Sequence, residues 1–529
     1  MSFPQLTVQD DYWNEIDINE EDLEFLYNHL LEIEKPLSPK LLAKLLLIEK
    51  ISIQKSEIEK QNASQGTVYL PENSYEPGED LLFPGLNWKK GKVISKRIGN
   101  NPDIAELEVI SVEMDDGKTR DFAANVHDHI LNKPVVMDDE DQQLDPEFVF
   151  SNFGKDITVK LMKVLEENQD IVCIAEEWFP KALIVDINVG HLNLAEAVLD
   201  MFEGGPLPTH EIVSQIGLSD VVSEELNVFS LNYALQEDPR FDEVGPTGQV
   251  LWFLKSLEPD YVQNKPHQLA YQAEEILEFN DPSTIEFLNE IGVYDELENE
   301  DEIDEEVTAI RTSIIYPHWR VGTIPLSDQI APIFPSALEA RRVRINFVDG
   351  KTRETFPGWV VLPKKYVYGL GDWYKSKGII PGSFIHLEKG KTESEVIIWA
   401  DTKKPHREWV RTIDFSNDQQ FSFSMQMQTI STDIDERMGF FIPDINEVDA
   451  FWENEKNNSK SLFRSIQTTL RELAKLNPQG HVHAQELYAA LNITRRCPPG
   501  PIYRSLIENH YANHLGDHYF RLIDAKPEE

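Results

Sequence analysis

The chain has 529 residues, too many for one ordinary core, and sets 93 acidic against 49 basic residues for a net charge of −44. Hydrophobic residues at 41% and aromatic residues at 10% supply the apolar surface of a globular chain, which excludes wholesale disorder despite the charge. Only two cysteines, Cys173 and Cys497, are present, which excludes a disulfide scaffold and any CxxC-based zinc or redox centre and fits a reducing cytoplasm. The opening Met-Ser-Phe-Pro-Gln lacks the features of a signal peptide, and no run approaches about 18 apolar residues, so the expectation is a cytoplasmic chain with no membrane partner.

In chain order, residues 1–62 carry helical spacing in two blocks, 21–34 and 38–60, split by Pro36, which predicts a helical hairpin. Residues 63–135 change to short alternating runs with the turn Asp116-Gly117, which predicts a small β-barrel. Trp88 beside Lys89, Lys90 and Lys92 could stack a base and hold phosphates, but in so small a barrel core and solvated rim are the simpler reading. An acidic linker at 136–148 precedes a helical and strand region at 149–290. A second acidic linker spans 291–310, in which residues 295–306 hold nine acids in twelve positions. Both runs read as solvated linkers or as docking segments for a basic partner.

Two distant segments match by spacing. Gly205, Leu207, Glu211, Ile212, Ile216 and Leu218 have the same offsets as Gly480, Val482, Glu486, Leu487, Leu491 and Ile493. Each set follows an apolar helix and leads into a third helix, with Phe229, Tyr233 and Leu235 in one copy and Ile502, Tyr503 and Leu506 in the other. Gly245 and Gly516 then fall ten residues beyond Leu235 and Leu506, between runs that read as a closing hairpin. Two winged-helix units are therefore expected, at 192–254 and within 459–529. With Ala195, Leu199, the run from Leu235 through Phe241 to Gly245, and Trp252, the first copy resembles the HARE-type helix-turn-helix of the RNA polymerase delta subunit's N-terminal domain. Its turn, extended by Pro246, departs from the family at the wing. The resemblance implies association with transcription machinery, by an acidic chain acting on RNA polymerase rather than reading a sequence.

Charge separates the copies. The first is acidic, with Glu211, Glu224 and Glu225 as its expected partner-binding residues, whereas residues 461–522 hold seven bases and four acids, a balance of +3. Arg495 and Arg496 immediately precede the third helix of the second copy, where a helix-turn-helix meets the backbone and major groove, and Arg504 lies on that helix. They are the expected direct contacts to DNA.

Between them, residues 311–411 hold 17 bases and 10 acids, a balance of +7, in a segment whose alternating runs predict a basic β-barrel. The order Thr323 to Ser327, a strand hairpin, Gly369 to Tyr374 and Ile380 to Ile385 resembles the DNA-binding pseudobarrel of B3-type domains. Arg341, Arg342, Arg344, Arg353, Lys364, Lys365, Tyr366, Trp373 and Lys375 are its candidate nucleic-acid contacts, because cations beside aromatic rings can neutralise phosphates and stack on bases. A barrel with a merely soluble basic surface is the plain alternative. Residues 412–458 read as a connecting segment.

No cofactor site emerges. Lys391 and Thr392 follow Gly390, but Ile385 stands where a phosphate-binding loop needs its first glycine. His481, His483, His510, His514 and His518 near Cys497 could supply metal ligands, yet their spacings match no zinc pattern, so no metal is expected. The predicted chain is a multidomain α+β protein without enzymatic activity: a helical hairpin, a small β-barrel and two winged-helix units flanking a β-pseudobarrel. Its expected function is a transcription-associated, nucleic-acid-binding factor tethered to RNA polymerase or another DNA-bound complex. A protein-binding scaffold without nucleic-acid contact, and the DNA-recognition subunit of a restriction or repair system, are the alternatives.

Overall fold

The computed structural model describes residue 13 and residues 16–523, except 64–66, 84–85, 87–88, 101–106, 116, 128, 130–131, 133–143, 219–221, 272–293, 299–306, 338, 417–419, 458–460 and 509–510. Trp88, Asp116, His510, residues 136–143 of the first acidic linker and residues 299–306 of the second therefore lie outside the described residues. The fold is mixed α+β with several separate sheets. It divides into two units, Met1–Val185 and Asp186–Glu529.

In the first unit, α1 (Glu20–Ile33) and α2 (Pro39–Ala63) form the hairpin expected around Pro36. The side chain of Asn19 accepts from the amide of Asp22 at 3.0 Å while Asp22 accepts from the amide of Asn19 at 2.9 Å, so two of the helix's orphan donors are satisfied reciprocally. Five strands follow, β1 (Thr67–Val68), β2 (Asp80–Phe83), β3 (Lys89–Ile98), β4 (Glu108–Met114) and β5 (Thr119–Ala124), paired in sequence order. Backbone bonds from Asn125 to Asn73 and from Val126 to Pro71 draw the end of this sheet back towards its beginning. Helix α3 (Pro146–Glu166) buries Val149, Ile157, Leu161 and Leu165 against Leu42, Leu46 and Leu47 of α2, and the small hairpin β6 (Ile171–Ile174) and β7 (Glu177–Pro180) adds Trp178 to the same core.

The second unit opens with α4 (Val189–Met201), β8 (Leu207–Pro208), α5 (Thr209–Ile216), α6 (Glu224–Glu237), β9 (Phe241–Glu243) and β10 (Leu251–Leu254), the strands ordered β8-β10-β9. Gly205 sits at φ 108°, and a Cβ there would lie 2.6 Å from the carbonyl of Trp252, so only glycine lets the turn approach β10. The indole of Trp252 donates to Asn232 at 2.9 Å and to Thr209 at 3.2 Å, fastening β10 to α5 and α6 within the core. A short helix α7 (Asp260–Gln263) follows.

A curled seven-stranded half-barrel comes next, built from β11 (Ala309–Ser313), α8 (Tyr316–Val321), β12 (Thr323–Pro325), β13 (Arg342–Asp349), β14 (Thr355–Val361), β15 (Tyr366–Tyr368), α9 (Gly371–Lys377), β16 (Phe384–Lys389) and β17 (Glu395–Ala400). Its strand order is β11-β16-β17-β13-β14-β15-β12, with β13 and β17 parallel. Val343, Ile345, Phe347, Val360, Ile385 and Ile398 fill the concave side, as the period-two alternation of their strands requires.

The described residues of 412–458, read above as a connecting segment, carry further strands and a helix. β18 (Thr402–Phe415) and β19 (Phe421–Thr432) make a long antiparallel hairpin, β20 (Phe440–Phe441) joins β18 in parallel, and α10 (Ile445–Asn457) follows. The chain ends in α11 (Leu462–Ala474), β21 (His481–His483), α12 (Ala484–Thr494), α13 (Pro499–Glu508), β22 (Ala512–Gly516) and β23 (Tyr519–Leu522), ordered β21-β23-β22. Val482 pairs with Phe520 as Leu207 pairs with Trp252, so the residues two positions after Gly480 and Gly205 meet the corresponding aromatic ring.

Candidate nucleic-acid and partner interfaces

The basic residues of the half-barrel divide into those turned inward and those left on the surface. Arg342 forms an ion pair with Asp242 and lies 3.3 Å from the carboxyl of Glu258. Lys364 donates to the carbonyls of Gln263 at 2.6 Å and Val262 at 3.4 Å, and burial lowers its pKa. The buried Tyr366 donates its hydroxyl to the carbonyl of Tyr261 at 2.6 Å. These three side chains thus hold the half-barrel to the stretch 242–263. Arg344 lies over the Trp359 ring at 4.9 Å and donates to the Gly358 carbonyl at 3.3 Å, and burial pushes its pKa down to about 10. Trp373 is buried with its indole donating to Asp349 at 2.8 Å, so neither of its faces is open to a base.

Arg341, Arg353 and Lys375 are exposed, whereas Lys365 is half-buried and pairs with Asp328 at 3.7 Å. Arg341 precedes β13 and Arg353 occupies the turn beyond it, so the strand separates them by roughly 25 Å. The surface cations are therefore dispersed.

In the C-terminal helices, Arg496 is fully buried. Its guanidinium meets the two carboxylate oxygens of Asp295 at 2.9 and 2.5 Å, Glu296 at 2.9 Å and the side-chain oxygen of Asn492 at 3.2 Å. The Tyr488 hydroxyl donates to Asp295 at 2.6 Å, His318 bridges Glu296 at 3.0 Å and Thr323 at 2.9 Å, and the amide of Gly500 donates to Glu298 at 2.9 Å. Burial opposes ionisation of Glu296, but Arg496 and His318 outweigh it and hold the carboxyl well below the usual range. The first residues of the acidic run are thus part of the interior, and Arg496 has no face left for a phosphate. Arg495 is half-buried, and Arg504 pairs with Glu508 at 2.7 Å. Burial raises the Cys497 thiol well above its ordinary value, as for an inert core cysteine. Among the described residues, no three His, Cys, Asp or Glu side chains are arranged to hold a metal ion.

Glu211 lies in the first turn of α5 and Glu224 and Glu225 in that of α6, all three exposed, where a carboxylate complements the helix dipole. Arg240 is held by Asp238 at 2.7 Å and Glu196 at 2.5 Å. The hairpin β9–β10 leans on the half-barrel: the amide of Thr247 donates to the Ser336 carbonyl at 2.8 Å, and that of Arg344 to the Val244 carbonyl at 2.9 Å. A cleft of about 650 Å³ opens elsewhere in this unit, with Trp319, Arg320, Tyr374, Lys375, Ile430 and Phe441 among its walls. Arg320 is fixed there by two bonds to Asp449, at 3.1 and 2.6 Å.

Nothing local in Arg496 announces partners 200 residues earlier, and the exposed Trp409 lies on a strand whose Lys403, Lys404, Pro405 and Glu408 are residue types depleted from strands. No protein-family model, no curated protein and no solved structure matches the chain. Among the described residues no helix is long and apolar enough to cross a membrane.

Proposed function

We propose that the chain is a transcription-associated factor without enzymatic activity, held on RNA polymerase or another DNA-bound complex by protein contact, whose weak intrinsic affinity for nucleic acid becomes effective once it is tethered. One observation carries this reading: the segments 189–254 and 462–522 share the element order helix, strand, helix, helix, strand, strand, with each three-stranded sheet ordered first, third, second. This shared order supports reading both segments as winged helices on either side of a half-barrel, whose seven strands and two short helices suit the B3-like reading. Exposed Glu211, Glu224 and Glu225 offer the first unit's grip on a basic protein surface, while the exposed Arg341, Arg353 and Lys375, the last 3.4 Å from Asp372, are the cations offered to phosphates.

A second reading, a scaffold without nucleic-acid contact, is favoured by the internal use of Arg342, Lys364, Tyr366, Trp373 and Arg496. Duplex DNA binding by the full chain separates the two. The first reading expects weak binding that falls steeply with salt through counterion release and drops further in an R353E/K375E variant. Binding that is absent at low salt, or unaltered by that variant, favours the scaffold.

A further inference from the structure

We propose that strand β19 is a docking edge for an extended, acidic peptide of a partner protein, which adds to the β19-β18-β20 sheet as a further strand. The inference does not rest on the nucleic-acid reading. It starts from sheet order: β18 is central, and β19 pairs with β18 alone among the described residues. An edge strand exposes unpaired amides and carbonyls, and proteins ordinarily blunt such edges with lysine, proline or a bulge. β19 reads Phe-Ser-Phe-Ser-Met-Gln-Met-Gln-Thr-Ile-Ser-Thr, twelve residues with no charge and no proline, and its register with β18 is regular from Arg407↔Thr429 to Phe415↔Phe421. Nothing in this edge opposes strand addition.

The hairpin's side chains indicate what would be added. Trp409 is 59% exposed, and its cross-strand neighbour Met427 and the next residue on that face, Met425, are 37% and 42% exposed. A large amphipathic ring flanked by two adaptable thioethers is the composition of a protein-binding hot spot. Charge selects the partner. Residues 402–411 hold four bases and one acid, a local balance of +3 in a chain of −44. Glu408 is turned to the opposite face, where it binds His406 at 2.9 Å, and Arg411 is held by Glu486. Lys404 and Arg407 are exposed, and no carboxylate among the described residues pairs with them. Strand addition supplies main-chain hydrogen bonds, and alternate side chains of the added strand fall on one face. Arg407 lies two residues from Trp409 and shares its face, so an extended segment carrying aliphatic residues and then an acidic residue on one face would lay its apolar side chains along Trp409, Met425 and Met427 and bring a carboxylate to Arg407, with Lys404 adding to the local positive field. Long-range repulsion is damped over the screening length of about 8 Å at physiological salt, so these local cations govern the contact.

The test uses the full chain and fluorescein-labelled twelve-residue peptides in which every second residue is Thr and the residues between, all on one face, are Val or Ile followed by Asp or Glu. Three controls are a composition-matched scramble, the same pattern with Lys for the acids, and the same peptide N-methylated at alternate backbone amides. Saturable binding of the acidic peptide is expected, with slowed amide exchange at residues 424–429 and an affinity loss of about tenfold or more in Trp409→Ala and in Arg407→Glu. The N-methylated peptide should not bind. Both substitutions alter exposed side chains, and unchanged circular dichroism would verify their folding. Four results would each overturn the proposal: no binding up to about 1 mM; equal binding of the N-methylated peptide; self-association of the chain that Trp409→Ala abolishes, which would make the occupant a second copy; or displacement of the peptide by single-stranded DNA that quenches Trp409, which would make the edge a base-stacking platform.

Discussion

Arg496 shows how far a residue's chemistry depends on partners the sequence does not reveal. In an arginine pair before a helix, it had the position of a phosphate contact; in the fold it is the cation that neutralises Asp295 and Glu296 in the interior. Removing one side of such a pair leaves a buried uncompensated charge, so Arg496→Ala should lower the unfolding free energy of the second unit by about 3–5 kcal/mol in urea titration. A loss below about 1 kcal/mol would contradict its role as an interior tie. Glu258 offers a second test. Burial, then the neighbouring Asp242, push its carboxyl up to about 8 from an ordinary value of 4.5. Between those pH values the folded chain keeps a proton that the unfolded chain has released, so stability must fall as pH rises across the window. Glu258→Gln should flatten that dependence in thermal unfolding followed from pH 5 to 8, and an unchanged slope would show that Glu258 is not its source.

At the scale of elements, the sequence was most legible where spacing was strict. The offsets after Gly205 and Gly480 announced a turn, a short helix and an apolar exit, and α5 and α12 begin four residues after each glycine. The half-barrel's strands were legible because each alternates with period two. The hairpin β18–β19 was not, although residues 421–432 alternate clearly, because its first strand carries Lys403, Lys404, Pro405 and Glu408, residues depleted from strands. The inward turn of Arg342 and Lys364 was equally hidden, since it depends on the contact between the half-barrel and residues 242–263. The N-terminus of α12 provides a test at this scale. His483 accepts the amide of Gln485 on its Nδ1 at 3.1 Å, and burial, then Arg437 and His518, depress its pKa to about 4. The unfolded chain binds that proton first, so this stabilisation is complete above pH 6.5 and is lost as pH falls towards 4. His483→Asn, which preserves a capping acceptor without titrating, should remove that acid sensitivity, and amide exchange in residues 484–494 at pH 5 and 7 would measure it.

At the scale of the whole molecule, a charge of −44 fixes the conditions under which any cation can act. Bare DNA is approached against a repulsive field, whereas a cation already held within about 8 Å of a phosphate is governed by its own neighbourhood. On the proposed reading, the dispersed Arg341, Arg353 and Lys375 become effective only if another contact raises their local concentration, which is the effect of tethering. In the proposed reading that contact falls to residues 189–254, whose Glu211, Glu224 and Glu225 are exposed while the turn between β9 and β10 rests on the half-barrel. The most direct test is affinity purification of RNA polymerase from the source organism with the full chain and with an E211K/E224K/E225K variant. The account expects the native chain to be retained at moderate salt and the variant to be released. A chain that never accompanies polymerase yet occupies chromosomal DNA by itself would contradict it.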